Sequence, residues 1–321
     1  MNPPKVSICI PTYNYANYIA ETIESVLCQN YSDFELLIID DCSKDNTSEV
    51  IEFYARKDAR IKFIINTINL GMVENWNLCL AQARGEYIKF VFGDDLLASP
   101  DAIGRMVSRL DSDSNVSLVC SARNIIDESS LVKQIASHFD TGVMSGSDVI
   151  NYCLAKQKNL IGEPSVVMFR KCQAKRGFNS AYIQIVDLEM WFYLLEQGAF
   201  AYINEPLCSF RIHSQQQTEK NSGTVADRID VIRLLDDFLN HSSVTLSNIV
   251  RSYLKYDSIY DIWKLHKNHR ISRHEAIDLI NLYSNYSYFR RWYPIYKLAK
   301  PFYKKYKKYI SKPVLSSKNL L

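Results

Sequence analysis

Over the first 120 residues the chain alternates between short apolar runs and apolar positions at helical spacing. Lys5–Pro11 reads as a strand, and Tyr18–Gln29 places Ile19, Ile23, Val26 and Leu27 on one helical face. Phe34–Ile39 is a nearly unbroken apolar run, the pattern of a strand buried on both faces of a parallel sheet, and it stops at Asp40-Asp41. The same reading predicts a helix over about Asn46–Ala55, a strand at Ile61–Ile65 and a helix at Met72–Ala83. It continues with a strand at Tyr87–Phe92, a helix at Pro100–Asp111 and a strand at Val116–Cys120. Such alternation implies β-α-β crossovers and an α/β fold: a Rossmann-like open, mainly parallel sheet flanked by helices, with ligands beyond the carboxyl ends of its strands. After residue 121 the alternation weakens, and from about Ala226 the spacing of Ile229, Ile232, Leu235 and Phe238 predicts helices. The expected division is a domain over 1–222, with halves at about 1–120 and 121–222, followed by a helical, basic region over 223–321.

Composition narrows the class. Hydrophobic residues at 47% and charged residues at 23% are globular values, and no apolar run is long enough to span a bilayer. The N-terminus lacks the basic, apolar and small-residue order of a secretory signal, so a cytoplasmic location is expected. Eight cysteines lie 14 or more residues apart without a C-x-x-C pair, which excludes a zinc knuckle or a small disulfide scaffold and predicts buried thiols.

The net charge of +3 conceals an asymmetry. Residues 251–321 hold 16 Lys/Arg against 4 Asp/Glu, leaving residues 1–250 at a net −9. A basic tail on an acidic body suits a polyanion. Arg290–Tyr309 mixes eight cations with many aromatic rings, which fits an interfacial helix on an anionic membrane better than nucleic acid; a solvated basic helix is the plain alternative.

Polar residues collect where the predicted strands end: Pro11-Thr12-Tyr13-Asn14, Asp40-Asp41-Cys42-Ser43 and Gly93-Asp94-Asp95. A lone Asn or Asp at such a place is a helix cap. Adjacent acids repel one another unless a cation or donor-rich ligand neutralises them, and Mg²⁺ or Mn²⁺ suits carboxylates together with diphosphate oxygens.

In order and spacing, over about residues 4–215, these motifs resemble the inverting family 2 glycosyltransferases of the GT-A fold that serve bacterial surface polysaccharides. Pro11-Thr12-Tyr13-Asn14 resembles their opening nucleotide-binding loop, and Ile38–Asp45 their V-D-D-x-S-x-D stretch. Asn69-Leu70-Gly71, Asn77 and Ala83–Tyr87 resemble the run leading to the D-x-D-type motif at Gly93-Asp94-Asp95. The resemblance implies base recognition by Asp41 with Asp40 in support, nucleotide contacts from Asn69, Gly71 and Asp94, and Mg²⁺ or Mn²⁺ on Asp95. Two positions depart: Phe92 stands where many members have Asp, and Trp76 where many have Arg.

In the second half, Ile161–Arg170 resembles a segment bordering the acceptor pocket, which makes Glu163 an acceptor candidate or an exposed turn acid. Ile185–Leu194 resembles the E-D-x-D-L-W helix start, with Val186 and Glu189 in place of two acids. Asp187 there becomes the candidate catalytic base, against a plain role as an acid at a helix N-terminus. Glu189, Trp191 and Arg211 are further acceptor or sugar candidates. Phe210–Ser214 resembles the family's R-x-H stretch, which puts His213 at the metal or diphosphate, and 215–223 reads as a loop or lid.

The implied activity is metal-dependent transfer of a sugar from a nucleotide diphosphate donor, UDP-linked, to a glycan or lipid-linked acceptor at the cytoplasmic face of the inner membrane. Neither Q-x-x-R-W nor spanning helices occur, which favours single addition over polymerisation. A sugar nucleotidyltransferase would need a Gly-rich basic loop that is missing. A non-catalytic subunit that binds nucleotide sugar or scaffolds an assembly complex stays open.

Overall fold

The structure is a computed structural model that describes residues 3–214, 216 and 224–316. Strands β1 (Val6–Thr12), β2 (Phe34–Asp40), β3 (Ile61–Ile65) and β4 (Tyr87–Phe90) pair in parallel in the order β3-β2-β1-β4. Helices α1 (Ile19–Leu27), α2 (Thr47–Ala55) and α3 (Met72–Gln82) connect them. All seven residues of β1 and of β2 are buried, as their apolar runs require of strands covered on both faces. Pro11 is tolerated in this central strand because β4 pairs only with Val6–Cys9, so its missing N–H falls beyond that ladder.

The sheet then changes character. After β5 (Leu96–Leu97) and α4 (Ala102–Ser112), β6 (Val116–Ile126) carries the hairpin strand β7 (Val132–Ala136). The next elements are β8 (Gly142–Met144), α5 (Gly146–Lys156), β9 (Val167–Arg170), α6 (Val186–Leu195) and the long β10 (Ala199–Arg211). β9 inserts antiparallel between β4 and β6, β10 runs parallel to β6, and β5 closes the path antiparallel to β10. The strand expected to end at Cys120 therefore continues to Ile126, where its polar residues reach the site described below. Tyr87–Phe92 is shorter than expected, because the chain leaves the sheet after Phe90 to form the Asp94-Asp95 loop.

One feature of the first half ties motif to fold. Glu35 is buried inside β2, where it accepts from Ser7 Oγ (2.7 Å), Arg84 N (2.8 Å) and the Arg84 guanidinium (2.6 Å). A Cβ on Gly85 would lie 2.4 Å from Ser7 N, so the Ala83–Tyr87 motif needs glycine for this close approach. Its role here is packing against β1.

Helices α7 (Val225–Phe238), α8 (Asn248–Lys267), α9 (Arg273–Tyr283) and α10 (Tyr286–Tyr309) form the C-terminal region. Ile232, Ile259, Ile262, Ile280 and Phe289 make a second small core there, while Leu234, Leu235 and Phe238 join the main one. Five cysteines are buried as expected, but Cys28 and Cys172 are exposed and Cys42 partly so, because each lies on a loop or helix end outside the core. Among the described residues no helix is long and apolar enough to cross a membrane.

Candidate functional site

The first two polar loops hold each other. Asn14 and Cys42 adopt positive φ (58° and 63°), a strained state for residues with side chains. It is held by Asn14 N donating to Ser43 Oγ (2.8 Å), Lys44 N to Asn14 Oδ1 (2.7 Å) and Ala16 N to Asp45 Oδ2 (3.0 Å). Tyr13 remains exposed beside them. Asp40 is buried and accepts from the Ser43 amide and hydroxyl; burial raises its pKa. Asp41 Oδ1 accepts from Asn66 Nδ2 (3.0 Å) and Leu70 N (2.7 Å), and Oδ2 from Gly71 N (2.9 Å). Since each carboxylate oxygen offers two lone pairs, Oδ2 keeps one for a further donor. Asn69 Nδ2 donates to Asp41 O (3.0 Å) and Gly71 takes φ +86°, so both order the loop around Asp41 through groups already bonded within the protein.

The acid pair lies at the end of β4. Asp94 Oδ2 is 3.0 Å from His213 Nε2, and the His213 ring packs on Tyr18 with centroids 5.0 Å apart. Asp95 Oδ1 accepts from Arg211 N (2.9 Å), whereas its buried Oδ2 has no hydrogen-bond partner of normal length among the described residues, with the Ser165 hydroxyl beside the carboxylate favouring its charged form. Burial and the adjacent Asp94 charge push the Asp95 carboxyl well up. Thr12 Oγ1 is a second buried polar atom with no partner among the described residues, beside Gly93, whose missing Cβ also lets Tyr15 approach. Burial, then the charges of Asp94 and Asp95, raise the Tyr15 phenol. Buried polar atoms left unbonded are costly.

A single segment links this pair to Asp187. Asp187 sits in the first turn of α6, its Oδ1 accepting from Leu188 N (2.8 Å) and its Oδ2 from Asn159 Nδ2 (3.0 Å). Asn159 Oδ1 in turn accepts from Gly162 N (2.9 Å), at a turn with φ +123° where a Cβ would strike Val166. Glu163 pairs with Arg123 (2.8 Å), and its charge is felt by both Asp187 and Asp95. Ser165 Oγ accepts from Phe92 N (3.0 Å) at the entry to the acid loop. Residues 159–165 thus hold the acid on α6 at one end and border Asp94-Asp95 at the other. Burial pushes Asp187 up to about 7, the range of a general base working near neutrality.

Three candidates do not face a ligand. Trp191 is 0% exposed: its ring packs on Phe169 and Phe178 and its indole N–H donates to Gly162 O (2.9 Å), so stacking on a sugar is excluded. Arg211 is likewise fully buried, donating to Asp94 O (2.7 Å), Asp127 O, Glu128 O, Ser130 Oγ and Glu21 (2.7 Å); it shapes the acid loop from behind. Glu189 is buried, and its Oε1 pairs with Arg176 (2.6 Å). Pro11, a nucleotide-binding candidate, is buried near the carboxyl end of β1. The expected lid at 215–223 lies, apart from Gln216, outside the described residues. Replacing Trp191 with Phe removes the shorter of the two hydrogen bonds to Gly162 O and leaves the one from Asn159 Nδ2 (3.3 Å), and we expect a loss of about 0.5–1.5 kcal/mol in chemical denaturation with no change in acceptor KM.

The two departures from the family pattern meet in space. The Trp76 and Phe92 rings lie 5.0 Å apart, inside a cluster with Phe90 and Phe178, so an aromatic contact stands where many members carry an Arg and an Asp. Sequence reading also missed Tyr15, Glu21, Asn159 and Asp230. Asp230 Oδ2 on α7 accepts from Ile183 N (2.8 Å) and Gln184 N (2.6 Å), fixing the approach to Asp187. Their partners are distant in sequence, and the one local signal was Glu21 in the first turn of α1.

Comparison with known proteins decides the family. The profile of Glycosyl transferase family 2 matches residues 7–175, over half of the chain. This chain belongs to glycosyl transferase family 2. The chain is 28% identical to the hyaluronan synthase of Pasteurella multocida over 260 residues, 81% of this chain and 25% of that longer protein. The fold matches S. aureus TarS 1–349 in complex with UDP-GlcNAc at a TM-score of 0.65, with 19% identity over 86% of this chain and 79% of that one. It also matches the mannosyltransferase PcManGT of Pyrobaculum calidifontis in complex with GDP-Man and Mn²⁺, at 0.57 and 16% over 96% and 84%. The chain is a glycosyltransferase of the GT-A fold.

Proposed function

We propose that this family 2 enzyme is metal-dependent and inverting, and moves a sugar from a UDP-linked donor to a glycan or lipid-linked acceptor in cell-surface polysaccharide synthesis. It does so at the cytoplasmic face of a membrane that its C-terminal region touches. The observation that carries the reading is the segment 159–165, which gathers Asp187 and the Asp94-Asp95 pair around Glu163. The UDP-GlcNAc bound to TarS and the name of the hyaluronan synthase support the donor and the product class.

In this reading Asp41 accepts from the base through its remaining lone pair, Thr12 and Asp94 meet the ribose and diphosphate, and Tyr13 and Asn14 line the base side. Asp187 removes the proton of the acceptor hydroxyl as its oxygen bonds the anomeric carbon and the carbon–diphosphate bond breaks. One displacement inverts the centre and needs no covalent nucleophile. Glu163, held by Arg123, borders the acceptor.

Among the described residues no three His, Cys, Asp or Glu side chains form a ready cage for a metal. A divalent ion still fits, because Mg²⁺ or Mn²⁺ is held by one or two carboxylates plus substrate phosphates, and Asp95 Oδ2 is buried with no hydrogen-bond partner among the described residues. Asp95 would hold the ion with His213 and Asp94 alongside. Once bound it would offset the charge growing on the leaving diphosphate. The Mn²⁺ of PcManGT supports this cofactor.

Calorimetric titration with UDP, dTDP, GDP and CMP, each with and without Mn²⁺, tests the donor. UDP is expected to bind, and to bind more tightly with Mn²⁺. Preference for another nucleotide reassigns the donor, and silence from all four overturns the site.

A further inference from the structure

The helix α10 presents two distinct faces. Phe289, Tyr296 and Tyr303, spaced seven residues apart, are buried against α8, with Tyr253 stacked on Tyr303 at 3.9 Å between centroids. Away from that seam, Trp292, Ile295, Leu298, Phe302, Tyr306 and Tyr309 recur every three or four residues and are all exposed, Leu298 to 73% and Phe302 to 75%. An apolar row of this length on a surface helix marks an interaction site rather than stray exposure. The remaining exposed positions include Arg290, Arg291, Lys297, Lys304, Lys305 and Lys308, and α10 contains no acidic residue.

From these observations we propose that α10 lies in the plane of an anionic lipid surface, its aromatic and aliphatic row entering the headgroup boundary while its cations meet lipid phosphates. This deepens the membrane placement proposed above and is independent of the transfer chemistry. A second copy is a poor occupant, because like cations would face one another with no acid on the helix to offset them. Tyr and Trp rings with polar tips are suited to the bilayer–water boundary, and each cation near an anionic leaflet adds to the attraction.

The helix is also fixed to the catalytic half. Tyr303 Oη donates to Ala155 O (3.0 Å), Lys307 Nζ to Gln157 Oε1, and Gln157 Nε2 to Asp257 Oδ2 (3.0 Å), while Lys300 pairs with Asp257 (2.8 Å). Ala155 and Gln157 immediately precede the 159–165 segment that holds Asp187. A membrane contact on α10 is therefore anchored beside the acceptor side of the site, where a lipid-borne acceptor would arrive.

The test is sedimentation of the full chain with phosphatidylcholine vesicles and with phosphatidylcholine–phosphatidylglycerol vesicles. The protein is expected to pellet with the anionic vesicles alone. L298E/F302E and K304E/K305E should each weaken this by about tenfold or more, while nucleotide binding by calorimetry stays at the parent level and shows that both variants are folded. Failure to pellet with anionic vesicles, equal pelleting of parent and variants, or equal binding to neutral vesicles overturns the proposal. So does self-association of the parent in sedimentation velocity that L298E/F302E abolishes, which would assign the row to a second copy. Loss of nucleotide binding by the parent would count against the donor reading and leave the vesicle result standing on its own.

Discussion

Asp187→Asn lowers kcat by about 10²–10⁴-fold while UDP binding is retained. The amide can still accept from Leu188 N, so the first turn of α6 keeps its hydrogen bond, but it cannot take a proton from the acceptor. Burial pushes the Asp187 carboxyl up to about 7, and a base acts only when ionised. Activity of the parent therefore rises with pH through about 7 and levels off above it, as the proton leaves. In Asp187→Asn the residual activity loses that acid limb. A steady-state pH profile of both proteins measures this directly. If the variant keeps parental kcat and an unchanged limb, Asp187 is only a helix-terminal acid, and the titrating base must be sought elsewhere, with Glu163 next in line.

How much of this was legible beforehand depended on whether the physics is local. The four parallel strands and the helices between them emerged within one or two residues, because a continuous apolar run such as Phe34–Ile39 and the spacing of Ile19, Ile23 and Val26 are properties of neighbouring residues. The insertion of β9 between β4 and β6 was not legible, since Leu118 pairs with Phe169 across fifty residues of chain and nothing in Val167–Arg170 names its partner. The acids of the site were legible as motifs, and their depth was not. Trp191 and Arg211 are residue types that bind sugars when exposed, and only the fold shows that one bonds Gly162 O while the other is enclosed by carbonyls. The same holds for Asp230, whose bonds to residues 183–185 pass from α7 back to the approach to Asp187. Trp76 and Phe92, read singly, weaken the resemblance; the fold brings them into contact as one aromatic pair.

Asp95→Asn is expected to remove the effect of Mn²⁺ on nucleotide binding and to lower kcat/KM by about 10²-fold or more, the scale of losing a Lewis acid worth several kcal/mol. The substitution changes little else. The amide oxygen can still accept from Arg211 N, so the loop behind the site keeps its shape. The amide nitrogen then occupies the place of Oδ2, the buried atom with no hydrogen-bond partner among the described residues, and presents a donor where an ion needs an acceptor. Burial and the adjacent Asp94 already disfavour the Asp95 charge, so a neutral amide there breaks no ion pair and the metal-free variant should unfold at the same temperature as the parent or higher. Stability and metal response thus move in opposite directions, which separates a lost ligand from a damaged fold. Calorimetry with UDP at increasing Mn²⁺, set beside thermal unfolding without metal, reads both. A variant that keeps the full Mn²⁺ response would move the ion away from Asp95 and onto Asp94 and His213, whose 3.0 Å contact would then have to open to admit it.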